Sequence, residues 1–126
     1  MKSAHDLVVA AKAKITEIDL LEAEPAIRQA DLLIDVREAD EFHSAHIPGA
    51  INIPRGLLEF KLSNDSQLAD PQLKLVLYCK NSGRSALATL ALQDMGYRNV
   101  VSLVGGIEAW QAAGRDVRTP ALPTFD

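Results

Sequence analysis

Short apolar runs alternate along the chain with segments whose apolar residues recur at helical spacing. The short runs predict strands over residues 15–18, 32–36, 50–53, 73–79 and 99–106, and the run at 32–36 is expected to be buried. The helical spacing predicts helices over residues 3–14, 20–30, 38–46, 55–62, 84–96 and 107–114. The polar stretch 63–72 is expected to form a loop. Strands that alternate with helices favour an α/β domain with a mostly parallel sheet.

Composition and charge fit a single globular domain. The 126 residues are 48% hydrophobic and 24% charged, which supplies a core without disulfides or a structural metal. A net charge of −4 argues against a nucleic-acid partner, because that binding depends on basic surfaces.

No membrane partner is expected either, since the chain lacks a continuous apolar run of about 18 residues. The N-terminal residues also lack the apolar stretch of a secretory signal. We therefore expect a cytoplasmic protein, although a precursor segment absent from this sequence would also permit export.

The chain contains one cysteine, Cys79, so an internal disulfide, a CxxC pair and a multi-cysteine zinc site are excluded. The thiol could be a core residue, a reactive nucleophile or an intermolecular link. Its position at the end of a predicted strand, before a polar loop and a helix, favours the nucleophile. Ligands in open α/β sheets bind beyond the carboxyl ends of the strands, and the N–H groups that begin a helix stabilise an anion there.

The charge around this cysteine supports the same interpretation. Residues 71–93 contain no Asp or Glu but include three cations, Lys74, Lys80 and Arg84, in a chain whose net charge is negative. A thiolate or a persulfide would be stabilised in such a place.

Four motifs in order resemble a single-domain rhodanese, a sulfurtransferase. They are DVRE at 35–38, HIPGA at 46–50, YCKNSGRSA at 78–86, and Gly105-Gly106 followed by Trp110. The resemblance spans residues 15–117, with a helical extension over 1–14 and a tail over 118–126. It implies a five-stranded, mainly parallel sheet flanked by helices on both faces.

The resemblance also implies a reaction. Cys79 would take a sulfane sulfur from a small-molecule donor such as thiosulfate, become a persulfide, and pass the sulfur to cyanide, a small thiol or a protein acceptor. No cofactor is implied. The substrate cradle is expected to comprise the residues that follow the nucleophile, namely Lys80, Asn81, Ser82, Gly83, Arg84 and Ser85.

Ser82 departs from the commoner form of this loop, which has glycine three residues after the cysteine. Serine resists the positive φ that glycine accepts, so the loop geometry and the substrate preference are open. Arg84 could hold the donor's oxygens, or it could tie its helix to a carboxylate near Asp35 or Glu38.

Asp35 and Arg37 follow a predicted buried strand. They could brace the active loop, or they could form an ion pair that holds the strand end to the next helix, and we favour the ion pair.

Two other functions remain open. A cysteine phosphatase also combines a cysteine, a cradle of amides and an arginine, but its signature loop is one residue longer than the loop from Cys79 to Arg84. A binding module on the same fold would need no cysteine, so the presence of Cys79 favours an enzyme.

Several other residues have structural interpretations. His43 and His46 are spaced like metal ligands on a helix, but no third ligand accompanies them, so we predict no metal site. His46 is expected to fix the following turn, Gly105-Gly106 to allow close backbone packing, and Trp110 to pack in the core. The helix over 3–14 could cover a sheet edge or pair with a second copy.

Overall fold

The computed structural model describes residues 1–120 and contains one five-stranded sheet. The strands are β1 (Glu17–Ile18), β2 (Leu32–Asp35), β3 (Ile51–Asn52), β4 (Lys74–Tyr78) and β5 (Asn99–Leu103). The helices are α1 (Ala4–Lys12), α2 (Leu20–Gln29), α3 (Ala39–Ser44), α4 (Leu58–Asn64), α5 (Gly83–Met95) and α6 (Gly106–Ala112), with a 3-10 turn at Arg55–Leu57 before α4. The α/β prediction is confirmed.

All neighbouring strands pair in parallel, in the order β1-β5-β4-β2-β3. In the pairing register Leu77 of β4 lies opposite Ile34 of β2 and Ser102 of β5, and Tyr78 lies opposite Asp35. Because parallel strands end at the same edge of a sheet, this register brings the residue after Tyr78 to the centre of that edge.

Helices cover both faces of the sheet, because the side chains of each strand alternate between the faces. On one face Leu75 and Leu77 pack with Leu58 and Leu62 of α4 and Leu92 of α5. On the other face the core contains Val76 and Tyr78, with residues of α2 and α6 that include Ala23, Ile107 and Trp110. Trp110 is buried, as predicted.

The edge strands are shorter than the sequence predicts. Residues 15–18 shorten to Glu17–Ile18, and residues 50–53 shorten to Ile51–Asn52. An edge strand bonds a neighbour on one side only, so its regular pairing ends sooner. The pairing still extends slightly further, because the Ser102 N–H donates to the Thr16 carbonyl and the Ile53 N–H donates to the Asp35 carbonyl.

Helix α1 lies on α5 rather than on a sheet edge. A capping box begins it: the Ser3 hydroxyl accepts from the Asp6 N–H, and the Asp6 carboxylate accepts from the Ser3 N–H. Ala11 is fully buried, and Val8 lies 3.8 Å from where a Cβ on Gly83 would be. The helix predicted as an extension therefore covers the start of α5, beside the cysteine loop.

The first part of the predicted tail also contacts the domain. Arg118 and His46 exchange two backbone hydrogen bonds, and the Thr119 hydroxyl donates to the Ser44 carbonyl. The rest of the predicted tail, residues 121–126, lies outside the described residues.

Candidate active site

Cys79 directly follows β4 and is fully buried. Its Sγ accepts two backbone hydrogen bonds, from the Ser82 N–H at 3.1 Å and from the Ser85 N–H at 3.3 Å. Both amides are available because the first N–H groups of a helix have no intrahelical acceptor. The sulfur therefore lies at the start of α5, where hydrogen-bond donors and the positive end of the helix dipole stabilise negative charge.

Two serine hydroxyls continue the hydrogen bonding from this sulfur. The Cys79 thiol donates to Ser85 Oγ at 3.5 Å, and Ser85 Oγ is 2.8 Å from Ser102 Oγ. Ser85 and Ser102 are both fully buried. Sequence reasoning missed Ser102, although a serine inside the apolar run of residues 99–106 was a detectable signal.

Ser82 adopts the left-handed backbone conformation, with φ of +105°, and is the one residue other than glycine that does so among residues 1–120. A residue with a Cβ pays of order 1–3 kcal/mol for such a conformation. The side chain has a partner, since Lys12 Nζ donates to Ser82 Oγ at 2.7 Å. Sequence reasoning did not connect Lys12 to the site, because 70 residues separate the pair.

The first turn of α6 binds two backbone carbonyl groups of the cysteine loop. The Ile107 N–H donates to the Cys79 carbonyl at 3.0 Å, and the Glu108 N–H donates to the Lys80 carbonyl at 3.1 Å. A Cβ on Gly106, which has φ of +55°, would lie 2.5 Å from the Lys80 oxygen and closer still to the Cys79 oxygen. Close backbone packing, predicted for Gly105-Gly106, explains the glycine at position 106.

Lys80 and Asn81 lie on the exposed part of the loop. Lys80 Nζ is 3.6 Å from a carboxylate oxygen of Glu108, and both side chains are more than half exposed. Water and salt screen such a pair, so it contributes little to stability. Gly83 begins α5 and lies under Val8.

Arg84 forms a two-pronged ion pair with Glu41 of α3, at 2.7 and 3.0 Å. Glu41 lies three residues after Glu38, so this partner is near one of the two carboxylates considered for that role. The hydrogen bond from Arg84 lowers the pKa of Glu41 to about 2. The same bond raises the pKa of Arg84, and the nearby charge of Cys79 also acts in that direction. The planar fork of the guanidinium is thus held by Glu41.

Asp35 and Arg37 form a buried ion pair beside this loop. Arg37 donates to the carboxylate from Nε at 3.0 and 3.1 Å and from Nη2 at 2.7 Å, and Nη2 also donates to the Ala45 carbonyl at 2.6 Å. Burial lowers the pKa of Arg37, but the hydrogen bond and charge of Asp35 outweigh it, and the net shift is upward. The pair ties the end of β2 to the end of α3.

The turn after α3 is held by neighbouring groups. The Tyr78 hydroxyl accepts from the Ile47 N–H at 3.0 Å, and burial raises the pKa of this tyrosine. His46 Nδ1 lies 3.0 Å from the Phe42 carbonyl, and the two rings stack at 3.8 Å. His46 therefore has the structural surroundings expected of a residue that fixes the turn.

The model of the rhodanese-like domain family matches residues 18–113 of the sequence. The chain belongs to this family. The matched residues contain all four motifs on which the sequence resemblance was based. The five parallel strands are those that the resemblance implied.

Relatives of this rhodanese-like domain include two proteins with sulfur-transfer names. Thiosulfate sulfurtransferase GlpE from Coxiella burnetii is 32% identical over 97 residues, which cover 76% of this chain and 87% of GlpE. The putative sulfur carrier protein YrkF from Bacillus subtilis is 33% identical over 78 residues, covering 62% of this chain and 40% of YrkF. An uncharacterized Synechocystis protein is 41% identical over 91 residues, 70% of this chain, and the match spans 48% of that protein.

A similar solved structure is that of a Rhodopseudomonas palustris protein of unknown function, described as a possible tyrosine phosphatase. It has a TM-score of 0.81 and 29% identity, and the match covers 94% of this chain and 96% of that one. Its coverage extends beyond the residues 18–113 matched by the family model.

The described part of this rhodanese-like domain has no group of side chains suited to binding a metal ion and no helix suited to crossing a membrane. Within residues 1–120, no three His, Cys, Asp or Glu side chains are grouped so that they could hold a metal ion. None of the helices in that range is both long and apolar enough to cross a bilayer.

Proposed function

We propose that this rhodanese-like domain is a sulfurtransferase that carries a sulfane sulfur on Cys79. The observation that supports the proposal is the pair of backbone N–H groups, from Ser82 and Ser85, that point at Cys79 Sγ. Donors fixed in a buried site stabilise developing negative charge without reorganisation. Sulfur transfer needs such a site, because both the thiolate and the persulfide are anions.

The proposed reaction has two displacement steps. The Cys79 thiolate attacks the outer sulfur of thiosulfate, forms an S–S bond, and releases sulfite with the electron pair of the broken bond. A thiophilic acceptor then attacks the terminal sulfur of the persulfide. With cyanide the products are thiocyanate and the Cys79 thiolate, so the enzyme is restored with no net oxidation and no cofactor.

The cradle residues have different parts in this proposal. Ser82 and Ser85 supply amides to the sulfur, and Gly83 begins the helix behind them. Arg84 and Lys80 supply positive charge for a dianionic donor, with Asn81 beside them on the exposed loop.

The buried Asp35–Arg37 pair supports the site indirectly. It joins the end of β2 to the end of α3, and α3 carries Glu41, the partner of Arg84. In this proposal the pair holds α3 beside the cysteine loop and does not touch the substrate.

The donor and the acceptor both come from outside the chain. Cys79 is the one cysteine in the sequence, so no second thiol of this chain can remove the sulfur from the persulfide. Similarity to the thiosulfate sulfurtransferase GlpE favours thiosulfate as the donor. Similarity to the putative sulfur carrier protein YrkF favours a protein acceptor alongside cyanide and small thiols. We place this reaction in the cytoplasm, where thiols are kept reduced.

The test is the intact mass of the protein after incubation with thiosulfate and removal of excess reagent. We expect a gain of one sulfur atom that cyanide or a thiol reductant then removes. The matched control is Cys79→Ser, which retains the shape of the side chain and should gain no sulfur. An unchanged mass in the wild-type protein would refute the proposal and favour a binding module. Hydrolysis of an aryl phosphate would favour the phosphatase.

A further inference from the structure

We infer that Lys12, on a helix outside the residues matched by the family model, is a positioning residue for the cysteine loop. Its ammonium group donates to Ser82 Oγ at 2.7 Å, and the Ser82 N–H donates to Cys79 Sγ at 3.1 Å. A chain of two hydrogen bonds thus joins α1 to the reacting sulfur. The inference deepens the proposed function and rests on it.

The backbone of Ser82 explains why this contact matters. With φ of +105°, the residue is in a conformation that side chains with a Cβ disfavour. In that conformation the Ser82 amide points at the sulfur. A charged hydrogen bond to the hydroxyl favours this arrangement over relaxed alternatives, and so keeps the amide directed at Cys79.

The surroundings of Lys12 hold it in place. Its side chain is one-third exposed and lies 3.6 Å from the Glu17 carboxylate. The helix that carries it is fixed by Ala11, which is fully buried, and by Val8 against Gly83. The packing of α1 therefore places Lys12 beside the cysteine loop, and α1 forms part of the active site.

A positioning role for Lys12 and simple attraction of the donor by its charge have different kinetic consequences. A cation that merely attracts thiosulfate would change the donor concentration needed for half-saturation, and salt would screen its effect. A positioning residue changes the rate of the step at saturating donor. It also loses its effect when Ser82 is replaced by glycine, because glycine accepts positive φ without help and offers no hydroxyl.

The experiment follows sulfur loading of Cys79 from thiosulfate in single-turnover mode, with the loaded fraction measured by intact mass. Lys12→Met should lower the loading rate at saturating thiosulfate about tenfold, the effect of losing one charged hydrogen bond at a partly exposed site. The half-saturating concentration should not change. Lys12→Arg should restore most of the rate, and the exposed Lys14→Met, which removes the same charge nearby, should leave it unchanged.

The decisive comparison is made in the Ser82→Gly background, where Lys12→Met should have no further effect on the rate. An equal loss in both backgrounds would overturn the inference, as would a lowered melting temperature with an unchanged loading rate. A wild-type protein that takes up no sulfur would refute the proposed function instead, so the two failures are distinguishable.

Discussion

The ion pair between Arg84 and Glu41 allows a prediction about stability and pH. It joins the start of α5 to α3 through two hydrogen bonds, and Glu41→Gln removes its charge with little change in shape. The fall in the pKa of Glu41 from 4.5 to about 2 would correspond to about 3 kcal/mol. Since the Arg84 and Glu41 side chains are 38% and 31% exposed, water screens them, and we expect about 1 kcal/mol.

The sign of the pH dependence follows from the direction of the shift. The carboxyl group titrates near 4.5 in the unfolded chain and at about 2 in the folded protein. The unfolded state therefore binds protons first as the pH falls. The advantage of wild type over Glu41→Gln should be complete above pH 4.5 and should disappear as the pH falls towards 2.

The measurement is denaturant unfolding of both proteins across this pH range, with thermal unfolding as a second measure. At neutral pH, Glu41→Gln should lower the melting temperature by about 4 °C for a domain of this size. The matched control is Glu59→Gln, which removes the charge from the single hydrogen bond with Arg55 at 2.8 Å and should lose about 0.5 kcal/mol or less. Equal stability of wild type and Glu41→Gln at neutral pH would refute the reasoning, as would a difference that persists unchanged at pH 2.

Steady-state kinetics of variants at Arg84 and Glu41 test the proposed role of Arg84 in donor binding. Arg84→Ala should weaken thiosulfate use by about ten- to a hundredfold, the effect of losing a charged hydrogen bond. Glu41→Gln frees the guanidinium and should lower the KM for thiosulfate. If Arg84→Ala lowers the melting temperature but leaves the kinetics unchanged, Arg84 holds the helix and does not bind the donor.

Three further predictions concern the loop. Gly106→Ala should destabilise the fold by about 2 kcal/mol or more in denaturant unfolding, because its Cβ would collide with the Cys79 and Lys80 carbonyls. Gly114 also has positive φ but has open space around it, so Gly114→Ala should lose less stability. Equal losses of stability in the two variants would contradict this reasoning. Lys80→Ala should reduce thiosulfate use only modestly, and the reduction should shrink as ionic strength rises; a large, salt-independent loss would instead indicate direct contact with the donor. An aryl phosphate should not be hydrolysed above background, because the loop from Cys79 to Arg84 is short for a phosphate; turnover that disappears in Cys79→Ser would show that this argument is wrong.

Much of the architecture was predictable because it depends on local sequence. Short apolar runs bounded by turn residues favour strands, and their alternation with helices favours parallel pairing. The same pattern located Cys79 next to the end of β4, where a parallel sheet places its ligands. The Asp35–Arg37 pair was also within reach of local reasoning, since the two residues are separated by one position after a buried strand.

The contacts that surround the sulfur depend on packing between distant segments. Lys12 reaches Ser82 across 70 positions, and Arg84 reaches Glu41 across 43. No local pattern encodes such pairs, because each depends on how one helix lies against another. Sequence alone predicted α1 as a helix and marked Ser82 as an unusual residue in the loop. Only the tertiary structure brought the lysine of that helix to the serine, because the packing of α1 on α5 determines where its side chains end.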